Sequence, residues 1–187
     1  PVVQDRKGVL SRKDKYRRVA ITSVVPKVCE LIVLGRYSIN ISTTCKQFGF
    51  KPKHGTEDCI FVLQQVIDFY NCNSSPVYLC FLDLSKAFDR VNHSLLFTKL
   101  LKVGVHYLIV RLLSTWYRTQ SFCIRWGSVI SAPFHVTNGV RQGSILSPSL
   151  FNVFINDLSC KLRSLQYGCY LNKTCFNHLV YADDTVL

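Results

Sequence analysis

The sequence predicts an α/β chain, and three observations carry that prediction. Apolar residues recur at helical spacing over 56–71, 93–103, 105–118 and from Ser147 onward. Between them lie short β-prone runs at 77–84, 121–136 and 165–187, punctuated by Gly, Pro and Asn. The apolar fraction of 48% against 18% charged residues is that of a chain that folds rather than one that stays disordered. At 187 residues there is length for one domain, or one and a half, with a real core.

Composition also bounds function. No apolar run approaches the roughly 18 residues of a membrane-spanning helix, and the N-terminus has no signal-peptide pattern. Methionine is absent even at position 1, so an interior piece of a longer product is expected. Lys and Arg number 23 against 11 Asp and Glu, a net +12 that favours a polyanionic partner, nucleic acid first. The excess is steepest in the first 60 residues. Beyond them the acids are only Asp68, Asp83, Asp89, Asp157, Asp183 and Asp184, so each one in apolar surroundings is informative. The nine cysteines form no CxxC pair, and several sit in apolar runs. They read as reduced, buried small hydrophobes of an intracellular protein. Cys160, Cys169, Cys175 and His178 are the one zinc-like grouping, but their spacing matches no familiar zinc-binding pattern.

The elements follow in order. Residues 1–20, with Arg6, Lys7, Arg12, Lys13, Lys15, Arg17 and Arg18, read either as an arm touching phosphates or as a solvated end. Val24 to Leu34 is apolar enough for a short helix after Pro26. Gln47 to Thr56 is a basic, Gly/Pro-punctuated segment with aromatics. Thr56 is the expected N-cap of the next helix, with Glu57 and Asp58 complementing its dipole and Cys59, Val62, Leu63, Val66 and Tyr70 on its inner face. Asn73-Ser74-Ser75-Pro76 breaks the chain. Val77 to Leu84 is a continuous apolar run containing Asp83 near its end, which fits a central strand covered on both faces. Ser85 to Arg90 turns the chain, and Gly104 stops a helix over 93–103. The helix over 105–118 is expected to turn Leu108, Leu112, Trp116 and Leu113 inward. Residues 121–127 and 129–136 read as strands, and Gly139-Val140-Arg141-Gln142-Gly143-Ser144 as a polar, flexible loop. Ser147 and Pro148 start a helix as N-cap and N1, burying Leu150, Phe151, Phe154, Ile155 and Leu158. Residues 178–187 form a hairpin whose turn carries Asp183-Asp184.

Adjacent carboxylates between apolar walls repel, and a divalent metal neutralises them better than one lysine. Taken alone, Asp183-Asp184 reads as a solvated turn and Asp83 as a turn-capping acid. If their strands are neighbours, three carboxylates meet on one rim, the ligand set for two Mg²⁺ ions that clamp an attacking hydroxyl and a leaving pyrophosphate. No Walker loop, HExxH or GxSxG occurs, so phosphate binding rests on metals and basic side chains.

Phe81-Leu82-Asp83-Leu84-Ser85-Lys86-Ala87-Phe88-Asp89, Asn138-Gly139-Val140-Arg141-Gln142-Gly143-Ser144 with Ser147-Pro148, and Tyr181-Ala182-Asp183-Asp184 resemble the catalytic motifs of reverse transcriptases, most nearly those of jockey-like non-LTR retrotransposons. Tyr16-Arg17 with Thr22-Ser23, and Gln47-Phe48-Gly49-Phe50-Lys51, resemble that family's fingers motifs, so the resemblance runs from about residue 10 to the end.

The resemblance implies an α/β fingers–palm fold, with an antiparallel palm sheet backed by helices: 1–76 fingers-like, 77–187 palm-like and ending before the thumb. It implies RNA-templated addition of dNTPs to a DNA primer with two Mg²⁺, for which Mn²⁺ would substitute, inside the cell (nucleus or cytoplasm) as part of a retroelement protein and without a membrane. Asp83 and Asp183 would be the principal metal ligands, Asp184 a secondary one, and Leu84 would lend a backbone carbonyl. Phe88 would be the aromatic gate that clashes with a ribose 2′-hydroxyl. Gln142 and Gly143 would contact the incoming nucleotide, with Gly143 allowing close approach. Arg141 would touch template phosphate or stand as a solvated loop charge, and Arg17 would contact nucleic acid. Lys51 stands where the family usually has arginine, keeping the charge but losing the bidentate fork for a triphosphate. Arg18 replaces the usual proline after Tyr-Arg. Rival readings are another polymerase class (intron maturase, telomerase-like or RNA polymerase) and an inactive or domesticated nucleic-acid-binding remnant. The segment alone is expected to polymerise weakly or not at all.

Overall fold

The computed structural model describes residues 20–37 and 43–187, together with the backbone of 2–3 and 16–17. Strands β1 (Val2–Val3) and β2 (Tyr16–Arg17) pair antiparallel. Helices α1 (Val24–Tyr37) and α2 (Thr56–Cys72) precede strand β3 (Phe81–Asp83) and a 3-10 turn at Ala87–Arg90. Helices α3 (His93–Lys102) and α4 (Tyr107–Thr119) lead to strands β4 (Ser121–Phe122), β5 (Arg125–Trp126), β6 (Val129–Ile130) and β7 (Phe134–His135). Helix α5 (Ser147–Leu165) is followed by β8 (Cys169–Leu171), β9 (Thr174–Phe176), β10 (Leu179–Tyr181) and β11 (Asp184–Val186). Apart from Ala20 and the two N-terminal strands, the basic stretch 1–20 lies outside the described residues, as do Arg18 and the side chain of Arg17.

The chain divides into two compact units, each assembled from two segments: residues 1–40 with 88–147, and 41–87 with 148–187.

In the first unit, α3 begins where the Asn92 side chain accepts a hydrogen bond from Leu95 N at 3.0 Å, and it ends ahead of Gly104 at φ +85°. Leu96 and Leu100 of α3 and Val110, Leu113 and Tyr117 of α4 are buried, each contributing about 1.5–3 kcal/mol. The inner face of α4 corrects the sequence expectation, because Leu108 and Leu112 are 51% and 57% exposed. Residues 108–110 and 112–113 are all aliphatic, so periodicity alone does not choose a stripe. The choice falls to the ring cluster of His93, Phe97 and Tyr117, in which Tyr117 meets the His93 ring edge-on at 5.1 Å. The two expected strands between 121 and 136 break into nested pairs, β4 with β7 and β5 with β6.

In the second unit, an antiparallel sheet has the order β10-β11-β3. Its register sets Leu179 opposite Val186 and Tyr181 opposite Asp184, then Asp184 opposite Asp83 and Val186 opposite Phe81. On the far side of β10, Gln47 bridges Val180 in parallel, with Phe48 N donating to Val180 O at 2.8 Å and Val180 N to Lys46 O at 2.9 Å. Helix α2 lies against β10 and β8, and Tyr70 Oη accepts from Tyr170 N at 2.7 Å. α2 starts one residue earlier than expected in its capping, with Gly55 as N-cap donating its N–H to Asp58 Oδ2 at 2.7 Å. Helix α5 buries Leu150, Phe151 and Val153, while Leu158 is exposed. Between α5 and the sheet, Gln47, Asn152, Asn156, Ser159, Val180 and Thr185 line a cavity of about 10 Å³, the size of one water.

Two further expectations are corrected. β3 is the edge strand of its sheet among the described residues, with Phe81 69% exposed, rather than a covered central strand. An apolar run marks which side chains would gain from cover, not what lies over them. None of the nine free cysteines is buried; six are exposed and Cys59, Cys169 and Cys175 are intermediate. His178 is buried but satisfied, with Nε2 hydrogen-bonded to Ser159 Oγ and Nδ1 to Asn177 Oδ1, both at 2.7 Å.

Candidate active site

The hairpin β10–β11 closes through a two-residue loop, Ala182-Asp183, because Tyr181 already pairs with Asp184. Ala182 takes φ +58°, a left-handed conformation that costs a residue with a Cβ about 1–2 kcal/mol. Strain of this kind persists only where neighbours over-determine it. Here the neighbour is Gln47: its Oε1 accepts from Ala182 N at 3.2 Å and from Gly49 N at 2.9 Å, and its Nε2 donates to Ala182 O at 3.4 Å.

Asp83 lies directly across the ladder from Asp184, and side chains opposed in this way leave one face with Cβ atoms about 4.5–5.5 Å apart. Asp183 occupies the adjoining turn. Burial first, then the charges of Asp183 and Asp83, hold the Asp184 carboxyl above its ordinary value of 3.8. Among the described residues, no cation is ion-paired to these three carboxylates and no hydrogen bond engages them. Nor do three or more His, Cys, Asp or Glu side chains converge tightly enough to enclose a metal ion. The set is thus open rather than caged. That suits Mg²⁺, a hard cation that keeps several waters and is bound through one or two carboxylates plus substrate phosphates. Leu84 O accepts from Ala87 N at 3.1 Å, which leaves its second lone pair free.

On the same unit, Lys51 is half-buried and its ammonium donates to the carbonyls of Thr44 and Thr43. Burial pushes its pKa below the ordinary lysine value.

The first unit carries the remaining expected residues. The loop after Asn138 is anchored rather than flexible: Gly139 N donates to Val91 O at 2.7 Å, Val140 N to Phe88 O at 2.8 Å, and His93 Nε2 meets Gly139 O at 2.7 Å. Gly139, at φ +92°, has no room for a side chain, since a Cβ would stand 2.9 Å from the Asp89 backbone. Gln142 is half-buried, with Nε2 donating to Asp89 Oδ1 at 3.4 Å, and its carbonyl accepts from Ala20 N at 2.8 Å. Gly143 is exposed at φ +99°, and Phe88 is half-buried in the 3-10 turn.

Arg141 departs from expectation. It is not a solvated charge: its side chain is 7% exposed and lies 3.3 Å from Glu30 Oε1, itself 3% exposed. The guanidinium sits over Trp116 at 4.6 Å and near Tyr117 at 5.7 Å. Glu30 Oε2 also accepts from Ile145 N at 2.9 Å, fastening the loop to α1.

A family model described as reverse transcriptase (RNA-dependent DNA polymerase) matches residues 5–187. The chain belongs to the reverse transcriptases. Its relatives include the Retrovirus-related Pol polyprotein from type-2 retrotransposable element R2DM of Drosophila melanogaster, 28% identical over 176 residues that cover 94% of this chain and 17% of that protein. The RNA-directed DNA polymerase from mobile element jockey of Drosophila funebris is 30% identical, with 78% of this chain and 16% of the relative covered. The probable RNA-directed DNA polymerase from transposon X-element of Drosophila melanogaster is 32% identical, with 76% and 16% covered. This reverse transcriptase chain therefore spans about a sixth of the length of these relatives. Among solved structures it resembles apo telomerase from Candida tropicalis, with a TM-score of 0.55 at 13% identity over 87% of this chain and 33% of the other. Telomerase from Candida albicans, solved with a fragment of telomeric RNA, gives 0.52 at 10% identity over 87% and 29%. These likenesses establish the right-hand polymerase fold. No helix of the described reverse transcriptase residues is long and apolar enough to cross a membrane.

Two residues that brace these loops escaped the sequence reading. Gln47 stands in the Gln47-Phe48-Gly49-Phe50-Lys51 motif without an assigned role. Glu30 is the lone acid inside an apolar helix of a basic region, and that isolation was the available signal.

Proposed function

We propose that this chain carries the catalytic core of an RNA-directed DNA polymerase, adding dNTPs to a primer 3′-hydroxyl on an RNA template during retrotransposition. The observation that supports it most is the register that sets Asp83 opposite Asp184, with Asp183 in the turn before it, uncompensated by any cation among the described residues. Asp83, Asp183 and Asp184, with the Leu84 carbonyl, would hold two Mg²⁺ or substituting Mn²⁺. When bound, such ions lower the pKa of the primer hydroxyl and neutralise charge on the α-phosphate. The protein's own part is to keep three mutually repelling carboxylates together and unpaired. Lys51, its ammonium already oriented by two carbonyls, would bind the triphosphate as a point charge. Gln142 and Gly143 would contact the incoming nucleotide, and Phe88 would exclude a ribose 2′-hydroxyl. Arg17 and the basic excess would engage nucleic acid backbone. RNA template, DNA primer and dNTP are thus the proposed partners, in the nucleus or cytoplasm.

Primer extension on an oligo(dT)-primed poly(rA) template with Mg²⁺ tests this reading in the segment joined to a thumb domain. Losing a ligand that contributes ~3–4 kcal/mol of transition-state stabilisation slows the reaction about 10²–10³-fold, the expected effect of Asp183→Asn. Phe88→Val should raise ribonucleotide incorporation in the same assay. Extension that is indifferent to Asp183→Asn refutes the catalytic assignment.

A further inference from the structure

We infer that Gln47 is a positioning residue for the reaction: its side-chain amide fixes the strained turn that aims Asp183. The inference rests on the reading of Asp183 as a metal-binding carboxylate. Gln47 is 2% exposed, and its amide brackets both polar groups of a single residue, accepting from Ala182 N and donating to Ala182 O. Ala182 is the residue whose φ of +58° sets the hairpin's two-residue loop, and Asp183 is the next residue along. A first loop residue at positive φ is a glycine position in such hairpins, so alanine there needs outside support.

The support is itself braced. Gly49 N donates to the same Gln47 oxygen at 2.9 Å, and Asn152 Nδ2 of α5 donates to Gly49 O at 2.9 Å. Gly49 lies so close to the turn that a Cβ would stand 2.2 Å from Ala182 N. The backbone of 46–48 runs beside β10, so Gln47 cannot withdraw without breaking the bonds of Phe48 and Lys46 to Val180. A buried path of hydrogen bonds thus joins α5, Gly49, Gln47 and the backbone of the acidic turn. Gln47 touches none of the three carboxylates. It reads peptide groups only, so it shapes where Asp183 points without altering its charge.

Two measurements decide the matter. The first is amide hydrogen exchange at Ala182 in the full chain, which needs no activity. Gln47→Met, close in shape but unable to bond, should speed exchange at Ala182 at least ~10-fold while α3 amides such as Leu100 stay unchanged. The second is steady-state primer extension by the segment joined to a thumb domain. A carboxylate displaced by about 1 Å predicts a kcat lower by about 10- to 100-fold, with the KM for dNTP within ~2-fold. Adding Ala182→Gly, which adopts the turn without help, should recover most of that kcat. Should Gln47→Met perturb α3 as well, Gln47→Glu serves instead, since it keeps the acceptor and loses the donor to Ala182 O. Unchanged exchange at Ala182 overturns the clamp. A kcat loss that Ala182→Gly does not rescue, or one matched by a rise in KM, overturns the positioning role. Absence of extension by the unsubstituted segment even when joined to a thumb domain refutes the polymerase reading instead, and the exchange result still decides the clamp.

Discussion

Glu30→Gln is the substitution whose cost the structure fixes best. It leaves the Arg141 guanidinium buried, 7% exposed, without its counter-charge 3.3 Å away. Breaking a buried pair by removing one partner costs about 3–5 kcal/mol, because the survivor stays desolvated and charged. The faces of Trp116 and Tyr117 return only part of this, since a desolvated cation–π contact is worth about 2 kcal/mol. That leaves about 1–3 kcal/mol, so at a urea dependence of about 2 kcal/mol per molar the unfolding midpoint should fall by about 0.5–1.5 M. Arg141→Met introduced into the Glu30→Gln background removes the orphaned charge, so the double variant should unfold at higher urea than Glu30→Gln alone. A Glu30→Gln stability within about 0.5 kcal/mol of the original, or a double variant less stable than that single one, refutes the buried pair. Salt dependence adds an independent reading. An arginine on template phosphate would take about one unit from the slope of log affinity against log salt when removed, whereas buried Arg141 should leave it unchanged.

Two predictions concern protonation. His178, buried and hydrogen-bonded as a neutral ring, has its pKa pushed below 6.5 by burial first and by nearby Lys46 second. Its contribution to stability is therefore fully present above pH 6.5 and lost as pH falls through the depressed value, so His178→Gln should flatten the stability profile in that window. Asp184 is shifted the other way: Asp83→Asn removes one of the two charges that hold its carboxyl up, so the titration midpoint, followed by NMR of the side-chain carboxyl, should move down toward 3.8. A midpoint indifferent to Asp83→Asn would mean that the two side chains do not share a face.

What could be read in advance was local chemistry. Gly104 stopping α3 is a backbone preference that acts within a few residues, and the structure keeps it; α5 begins at Ser147 itself, one residue earlier than expected, and the Ser147 hydroxyl makes no capping hydrogen bond. The hairpin around Asp183-Asp184 was legible for the same reason, since two short β-prone runs flank a polar pair. What was not legible depended on partners distant in the chain. Which stripe of α4 faces inward is decided by His93 and Phe97, not by the helix itself. Whether Arg141 is solvated is decided by Glu30, over a hundred residues earlier. Register belongs to this class too. The sequence places acids near the ends of two strands but does not say that Asp83 lies opposite Asp184 while Asp183 stays in the turn.

The candidate site shows why such distant partners matter most where chemistry is done. Three carboxylates have no reason to gather; Asp184 is raised by burial first and then by the charges of Asp183 and Asp83. Bonding the carboxylates to cations would relieve that repulsion, but it would also occupy the oxygens a metal needs. The fold meets both demands by acting on the backbone instead. The ladder holds Asp184 beside Asp83, and the Gln47 amide holds the peptide groups of Ala182, so the strain is borne by hydrogen bonds that leave every carboxylate oxygen open. The same logic places the support on an uncharged side chain, Gln47, that bonds peptide groups and none of the three carboxylates. This is a side chain whose role only the tertiary structure discloses.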